Sequence, residues 1–318
     1  MRKKMVAFLL TMVFLFSFAV AEEPAELSET TEPAEGEVVP ACEVKLLLSS
    51  DLVLDENHLL REEFIEMLQL DGDCQGIETA YLDTADRDYD EAGWVNRLRL
   101  KEPKKKKEEK EKKEKKKDRK EDKKEKDEEE KKEKKKNYKI TYKKRYSVTD
   151  GDLDAAFALA ADDGFTLEDP EFSAEIDWGY SGMTLSFSLD VDIDLEEDAE
   201  FALPQGRDAA EIVAENMPER EKQWAGGNVA GKIADALEVT RPARAKRYSG
   251  VEDDNIRVEV WEIRVHGETR YVTEYSIACD SVEEAAGLRD QAMERLDALG
   301  ILQRKSELKT EMILEGAE

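Results

Sequence analysis

Polar and apolar residues alternate strictly along two segments of the chain. From Trp94 to Lys101, Val95, Arg97, Arg99 and Lys101 fall on one side, and Trp94, Asn96, Leu98 and Leu100 on the other. From Tyr138 to Val148, Lys139, Thr141, Lys143 and Arg145 oppose Ile140, Tyr142, Lys144 and Tyr146. A period of two is that of a β-strand, whose successive side chains point to opposite faces. The two segments therefore predict a hairpin, with the stretch between them as an enlarged loop. Similar patterning predicts strands at Cys42–Leu48, Ile77–Leu82, Ala174–Trp178, Met183–Leu189, Ala243–Tyr248, Ile256–Val265 and Thr269–Ala278, with a last one over Lys309–Leu314.

Helical spacing enters between these strands. Leu60, Phe64, Met67 and Leu68 share a face within Asn57–Leu70, and Asp152–Asp162 is a short apolar helix stopped by Gly164. Arg207–Leu237 is helical, with breaks near Pro218 and Gly226-Gly227. Ser281-x-x-Glu284 is a capping box, opening a helix that turns Ala285, Leu288, Ala292, Leu296 and Leu299 inward and ends at Gly300. About eight or nine strands without regular strand–helix alternation predict an α+β fold, an antiparallel barrel with helices outside it.

Both ends of the charge distribution change this picture. Arg2, Lys3 and Lys4 precede an apolar run from Met5 to Val20, and Ala19-Val20-Ala21 obeys the small-x-small cleavage rule. Residues 1–21 thus read as a secretory signal peptide, with an uncleaved anchor as the competing reading. The expectation is an exported protein that holds no membrane segment after cleavage. Residues 22–40, rich in Glu, Pro, Thr and Ala, read as a disordered acidic linker, and residues 41–318 as the folded domain.

The insertion at 103–137 consists, from Lys104 to Lys136, of charged residues alone. It holds 20 basic and 13 acidic residues, a local +7 that leaves −35 on the rest of a chain of net charge −28. Lys/Glu pairs at i, i+4 make either a solvated single helix or coil possible there. Low complexity is the plainer reading, and a tether to a cell-surface partner the functional one. A body this acidic excludes nonspecific nucleic-acid binding, so any bound anion needs a shielded basic pocket. Cys42, Cys74 and Cys279 allow one disulfide and a free thiol, or none. His58 and His266 stand far apart without motif context, which disfavours His-based catalysis or metal binding.

Charged residues recur at i, i+2 on the predicted strands: Glu43/Lys45, Arg97/Arg99/Lys101, Lys143/Arg145, Glu175/Asp177 and Arg244/Lys246. On an open sheet each pair would be a wet face. The signs, however, segregate by strand: three are basic, one carries an acid pair and one, Glu43/Lys45, is mixed. A closed barrel with a charged interior accounts for this. Its basic rows would bind a multiply charged anion and its acids a divalent metal.

Glu43-x-Lys45, Tyr81-Leu82-Asp83-Thr84, Ala92-Gly93-Trp94-x-x-Arg97-Leu98-Arg99, Ile140-Thr141-Tyr142-Lys143, Ala174-Glu175-Ile176-Asp177 and a late Glu274 follow one another in an order that resembles the CYTH domain, the triphosphate tunnel metalloenzyme superfamily. The resemblance runs from Cys42 to about Leu314 and is most specific from Tyr81 to Arg99. It implies an eight-stranded antiparallel tunnel that uses Mg²⁺ or Mn²⁺ to hydrolyse tripolyphosphate, polyphosphate or a nucleoside triphosphate; the carboxylates missing at Ala41 and Ser276 make the expectation here a single metal site rather than two. Adenylate cyclisation also occurs in the superfamily, but an exported protein would rarely meet ATP. Carried over, Lys45, Glu175 and Asp177 are the catalytic candidates. Arg97, Arg99, Lys143, Arg145, Arg244 and Lys246 bind phosphate, with Arg247 as a substitute if the strand register differs. Glu43 and Glu274 hold the metal.

The chain departs from the family's opening Glu-x-Glu-x-Lys at Ala41, and from its late Glu-x-Glu at Ser276. Each change removes a carboxylate from the metal end. A non-catalytic polyphosphate- or polyanion-binding module is therefore the alternative. Gly226-x-x-x-x-Gly231-Lys232 has phosphate-loop spacing, but Ile233 replaces the Ser/Thr and no apolar strand precedes it.

Overall fold

The computed structural model describes residues 39–103, 137–195, 200–226, 230–253, 255–307 and 309–315. The leader, the linker up to residue 38 and the charged run 104–136 lie outside these residues. Ten strands are present among them: β1 (Ala41–Leu48), β2 (Gln75–Asp83), β3 (Trp94–Lys101), β4 (Asn137–Val148), β5 (Ser173–Trp178), β6 (Met183–Asp194), β7 (Glu238–Val239), β8 (Ala243–Ser249), β9 (Ile256–Val265) and β10 (Glu268–Cys279). Nine helices accompany them: α1 (Ser50–Val53), α2 (Glu62–Met67), α3 (Asp88–Glu91), α4 (Leu153–Asp162), α5 (Gly206–Asn216), α6 (Glu219–Trp224), α7 (Ala230–Ala236), α8 (Val282–Ala298) and α9 (Lys309–Glu315).

The strands pair in the order β3-β4-β6-β5-β1-β10-β9-β8-β2, and β2 pairs back to β3, so the sheet closes on itself. The two-residue β7 hangs on β2 outside the ring. The α+β barrel expected from the pattern is present, but its ring has nine strands and is mixed, not eight and antiparallel. The difference lies at β5. It forms a hairpin with β6 and lies parallel to β1, Glu43 opposite Asp177, while every other neighbour in the ring is antiparallel. A parallel pair needs a long crossover, and the chain from β1 to β5 supplies it.

Both faces of the wall are buried. Outside, helices cover Val44, Leu46, Leu98, Ile140, Tyr142, Phe187 and Val258, all nearly inaccessible. This is why the outward side of β3 and β4 is apolar although the inward side is charged. Tyr142 donates its hydroxyl to the Val213 carbonyl of α5 at 2.7 Å, and Trp94, Tyr146 and Phe187 gather around Phe165. Inside, a smaller apolar cluster of Ile77, Tyr81, Ala243, Ala245, Trp261, Ile263 and Val265 packs against Ile313 and Leu314 of α9.

That helix corrects the strand expected at Lys309–Leu314. Thr310, Ile313 and Leu314 are its buried side chains, an i, i+3, i+4 set that fits a helix and not a strand. The helix expected from Asn57 shrinks to Glu62–Met67. Asp55 accepts from the Asn57 and Leu59 amides at 2.8 and 2.9 Å, which offers the backbone a turn in place of the first helical turns. At the expected capping box the Glu284 amide donates to the Ser281 hydroxyl at 3.1 Å, while the Glu284 carboxylate accepts from the Asp280 amide at 2.9 Å in place of that of Ser281.

One outer residue is out of place in this apolar layer. Glu221, on α6, has 0% exposure, and its carboxyl lies beside the Asn96 amide, a contact that only partly offsets the burial and falls short of good hydrogen-bond geometry. Burial pushes its carboxyl up to about 8 from 4.5. Between those values the folded chain keeps a proton that the unfolded chain releases, so stability falls as pH rises through the window, by up to about 1.4 kcal/mol per pH unit. Glu221→Gln removes the titration. Thermal melts from pH 5 to 9 are expected to show the variant more stable at the alkaline end, with a flatter profile. Parallel profiles would contradict this.

Candidate functional site: the barrel lumen

Local structure explains how the two most characteristic motifs aim their side chains. Asp83 ends β2 and accepts from the Thr84, Tyr89 and Asp90 amides at 2.7, 2.9 and 2.9 Å, tying down the loop that leads to β3. Gly93 begins the return with φ +78, and a Cβ there would stand 2.7 Å from the Arg145 carbonyl. Glycine is needed on both counts, and it lets β3 lie against β4 in the register Val95–Lys143, Arg97–Thr141, Arg99–Lys139. This parity turns Arg97, Arg99 and Lys101 inward.

The lumen is a cavity of about 520 Å³. Ten Lys or Arg and seven Asp or Glu line it, an excess of positive charge inside a strongly acidic body. Its charged residues fall into three groups.

The first is acidic and lies on β1 and β5. Carboxylate oxygens of Glu43, Glu175 and Asp177 all lie within 4.8 Å of one another. Lys45 sits among them, its Nζ 2.5 Å from Asp177 Oδ1 and 2.9 Å from Glu43 Oε2. Lys143 Nζ reaches Glu175 Oε2 at 2.9 Å. Burial alone would raise the Asp177 carboxyl, but Lys45 and then Lys143 outweigh it and hold it well below the usual range. The same contest between burial and Lys45 lowers Glu43. Burial opposes the charge on Lys45, yet Asp177 and Glu43 keep it firmly protonated.

The second group is a neutralised cross-link. Arg247 and Lys309 both pair with Glu259, Lys309 at 3.2 Å, and Lys309 also reaches Glu274 at 2.5 Å. The Trp261 indole donates to Glu259 at 2.8 Å and its ring lies beneath the Lys309 ammonium, 4.7 Å away. Lys309 and Arg247 overcome burial and hold Glu259 well below its ordinary value.

The third group is basic and makes no ion pair among the described residues. Arg99 makes no hydrogen bond and no ion pair among the described residues, and its buried Nε has no partner. Arg97 donates one bond, to Thr141 Oγ1 at 3.0 Å, and its Nε is likewise buried and unpartnered. Burial, followed by the neighbouring Arg97 charge, brings Arg99 down to about 10. Partial burial, then Arg247 and Arg99, brings Lys101 down to about 8. Arg145 meets only a hydroxyl, Thr310 Oγ1 at 3.2 Å. This half of the lumen carries a concentrated positive charge.

Most residues expected from the sequence meet here: Glu43, Lys45, Arg97, Arg99, Lys143, Arg145, Glu175, Asp177 and Glu274 all line the cavity. Arg244 and Lys246 do not. Ala243 and Ala245 take the inward parity of β8, which makes Arg247 the inward cation and leaves Arg244 outside with Glu78 at 3.1 Å. Glu274 stands apart from the acidic trio and is engaged by Lys309. Glu259, Arg257, Tyr81 and Lys309 were missed. Arg257, Glu259 and Trp261 follow the i, i+2 rule on β9, so the charge pattern could have found Glu259. Lys309 arrives on a helix from the end of the chain, and no strand rule points to it. His58 stacks on Tyr271 with ring centres 3.7 Å apart, and neither it nor His266 lines the lumen.

No protein-family model matches the chain, and no curated protein matches it in sequence. Among solved structures, HpAC1 from Hippeastrum, a candidate adenylyl cyclase described as having a dominant triphosphatase activity, is 12% identical over 87% of this chain and 96% of that one, with a TM-score of 0.47. A candidate adenylate cyclase from Bacillus halodurans is 14% identical over 86% and 96%, with a TM-score of 0.40. Another from Vibrio parahaemolyticus is 11% identical over 87% and 99%, with a TM-score of 0.38. At these scores the likeness bears no functional weight, and the reading below stands on the lumen's own residues.

Proposed function

We propose that the lumen binds a short chain of phosphates, as tripolyphosphate, the end of a polyphosphate or the triphosphate of a nucleotide, and hydrolyses it with the help of Mg²⁺ or Mn²⁺. The observation that supports this most is the row of Arg97, Arg99 and Lys101 on β3, positive, lining the lumen and making no ion pair among the described residues. Desolvated guanidinium groups favour phosphate, whose oxygens accept their parallel N–H bonds in pairs. The multiple charges of a phosphate chain match a row better than a single anion would.

The acidic trio supports the metal. Three carboxylates meet the preference of Mg²⁺ for hard oxygen donors and leave part of its shell to water and phosphate. Glu43, Glu175 and Asp177 would hold the ion once the Lys45 ammonium turned from them to a phosphate oxygen. Bound there, the ion would neutralise charge on the phosphoryl group and orient water. The chain's own part is to position. Arg97 and Arg99 grip the phosphates from β3, Lys143 and Arg145 from β4, and Lys45 stands between the trio and the anion. Asp177 and Glu43, both kept ionised, are available to accept a hydrogen bond from water.

A second reading, an extracytoplasmic polyanion-binding module without turnover, is favoured by Ala41 and Ser276, where carboxylates are missing, and by the engagement of Glu274 with Lys309. Phosphate release separates the two. The mature protein with tripolyphosphate and Mn²⁺ or Mg²⁺ is expected to release phosphate at a rate that Asp177→Asn reduces by about 100-fold or more, in the range of lost positioning and electrostatic groups. Binding without release, surviving a chelator, would favour the module. Absence of both would overturn the proposal.

A further inference from the structure

Two of the three cysteines are brought together by the barrel itself. β1 and β10 are adjacent and antiparallel, and Cys42 stands directly opposite Cys279 in their register. Directly opposed residues on antiparallel strands have Cα atoms about 4.5 to 5.5 Å apart, inside the span of about 4.4 to 6.8 Å that a disulfide bridges. Opposed residues also share a face. Both side chains are buried in the outer core, next to the start of α8. Each thiol faces a backbone carbonyl of its own strand or its approach, Cys42 that of Pro40 at 3.9 Å and Cys279 that of Ile277 at 3.5 Å. Neither has a partner that a disulfide would have to break in the site. Cys74 precedes β2, which is not a neighbour of β1 or β10.

We propose that Cys42 and Cys279 are joined by a disulfide in the functional protein and that Cys74 remains a thiol. The expected export of the chain would bring it into a compartment where such bonds persist. The step needs a disulfide-containing oxidant such as oxidised glutathione. The two protein S–H bonds and the donor's S–S bond break, one protein S–S bond forms, and two electrons and two protons leave with the donor as two thiols. Burial, followed by the charge of Cys279, pushes the Cys42 thiol up to about 12. The thiolate is the reactive form, so the bond forms while the chain is folding and the thiols are still open to solvent.

The consequence reaches the lumen. Cys42 precedes Glu43, and β1 is the first strand of the domain, the place where fraying is easiest. A bond to Cys279 would fix the register that sets Glu43 beside Ala278 and Lys45 beside Ser276. The bond would close a loop spanning nearly the whole barrel, so its effect on stability should be large.

The test is to refold the full chain with oxidised and reduced glutathione, then count thiols after denaturation and map peptides without reduction. One thiol per chain and a peptide linking Cys42 to Cys279 are expected, and Cys74→Ser should leave that peptide in place. Reduction should lower the melting temperature by roughly 5 to 10 °C. Three free thiols after oxidative refolding, a bond that contains Cys74, or bonds only between chains would overturn the proposal. Peptide mapping uses the unmodified protein, so a failure of Cys42→Ser to fold does not affect the result.

Discussion

Arg99→Met is expected to make the protein more stable and the site inert. Arg99 is half-buried beside Arg97, makes no hydrogen bond or ion pair among the described residues, and keeps a buried Nε without a partner. A buried charge without a partner costs several kcal/mol unless something outside the chain offsets it. Methionine has a similar length, suits an irregular cavity and can lie against the Trp261 ring, over which the guanidinium now stands at 6.0 Å. Without ligand, the variant should melt higher than the parent, by about 1 kcal/mol or more in stability. With tripolyphosphate, the parent should gain stability and the variant almost none, its affinity reduced by about 100-fold, the worth of a charge-assisted pair in a desolvated site. Paired thermal melts with and without the anion check both. A variant that melts lower and still responds to the anion would mean that Arg99 is a structural residue.

Lys45→Met is expected to do the reverse. Lys45 is the cation between Glu43 and Asp177, and its removal leaves two ionised carboxylates facing each other with Glu175 nearby. Breaking a fully buried pair by deleting one partner costs about 3 to 5 kcal/mol, and for this partly buried set about 1 to 3 kcal/mol is expected. The held-down carboxyls then lose what holds them down. In the parent, Asp177 and Glu43 contribute stability above their unfolded values, which is lost as pH falls through the lower folded values. In Lys45→Met that contribution disappears, so the melting temperature should fall at pH 7 and improve as the solution is acidified towards pH 5. Millimolar Mn²⁺ should restore much of the loss, because the vacated trio is a set of oxygen donors. Destabilisation that neither acid nor Mn²⁺ relieves would argue against a metal at Glu43, Glu175 and Asp177.

How much of this was legible in the sequence depends on which rule fixed each residue. Alternation on β3 and β4 gave Arg97, Arg99, Lys143 and Arg145 their inward direction, because a period of two leaves no choice once one face is known to be buried. It failed on β8, where Ala243-Arg244-Ala245-Lys246-Arg247 supports either parity by charge. The small alanines face an inner apolar cluster filled by α9, and only the fold shows that the cluster exists. The antiparallel expectation failed at β5, which the pattern did mark as a strand, because alternation identifies a strand without saying which neighbours it takes. Lys309 was out of reach for a similar reason. Its contacts with Glu259 and Glu274 join positions far apart along the chain, and no local pattern encodes them. The buried Glu221 resembled one more polar residue on a helix, since α6 is too short for its face to be read from periodicity.

The central claim is that the unneutralised basic row of the lumen is a phosphate site. A crystal structure of residues 41–318 soaked with tripolyphosphate and Mn²⁺ tests it most directly. The expected result is a phosphate chain against Arg97 and Arg99, with Lys143 and Arg145 on its other side and the ion at Glu43, Glu175 and Asp177. A lumen that stays empty at saturating tripolyphosphate, or anion density only outside the barrel, would contradict it.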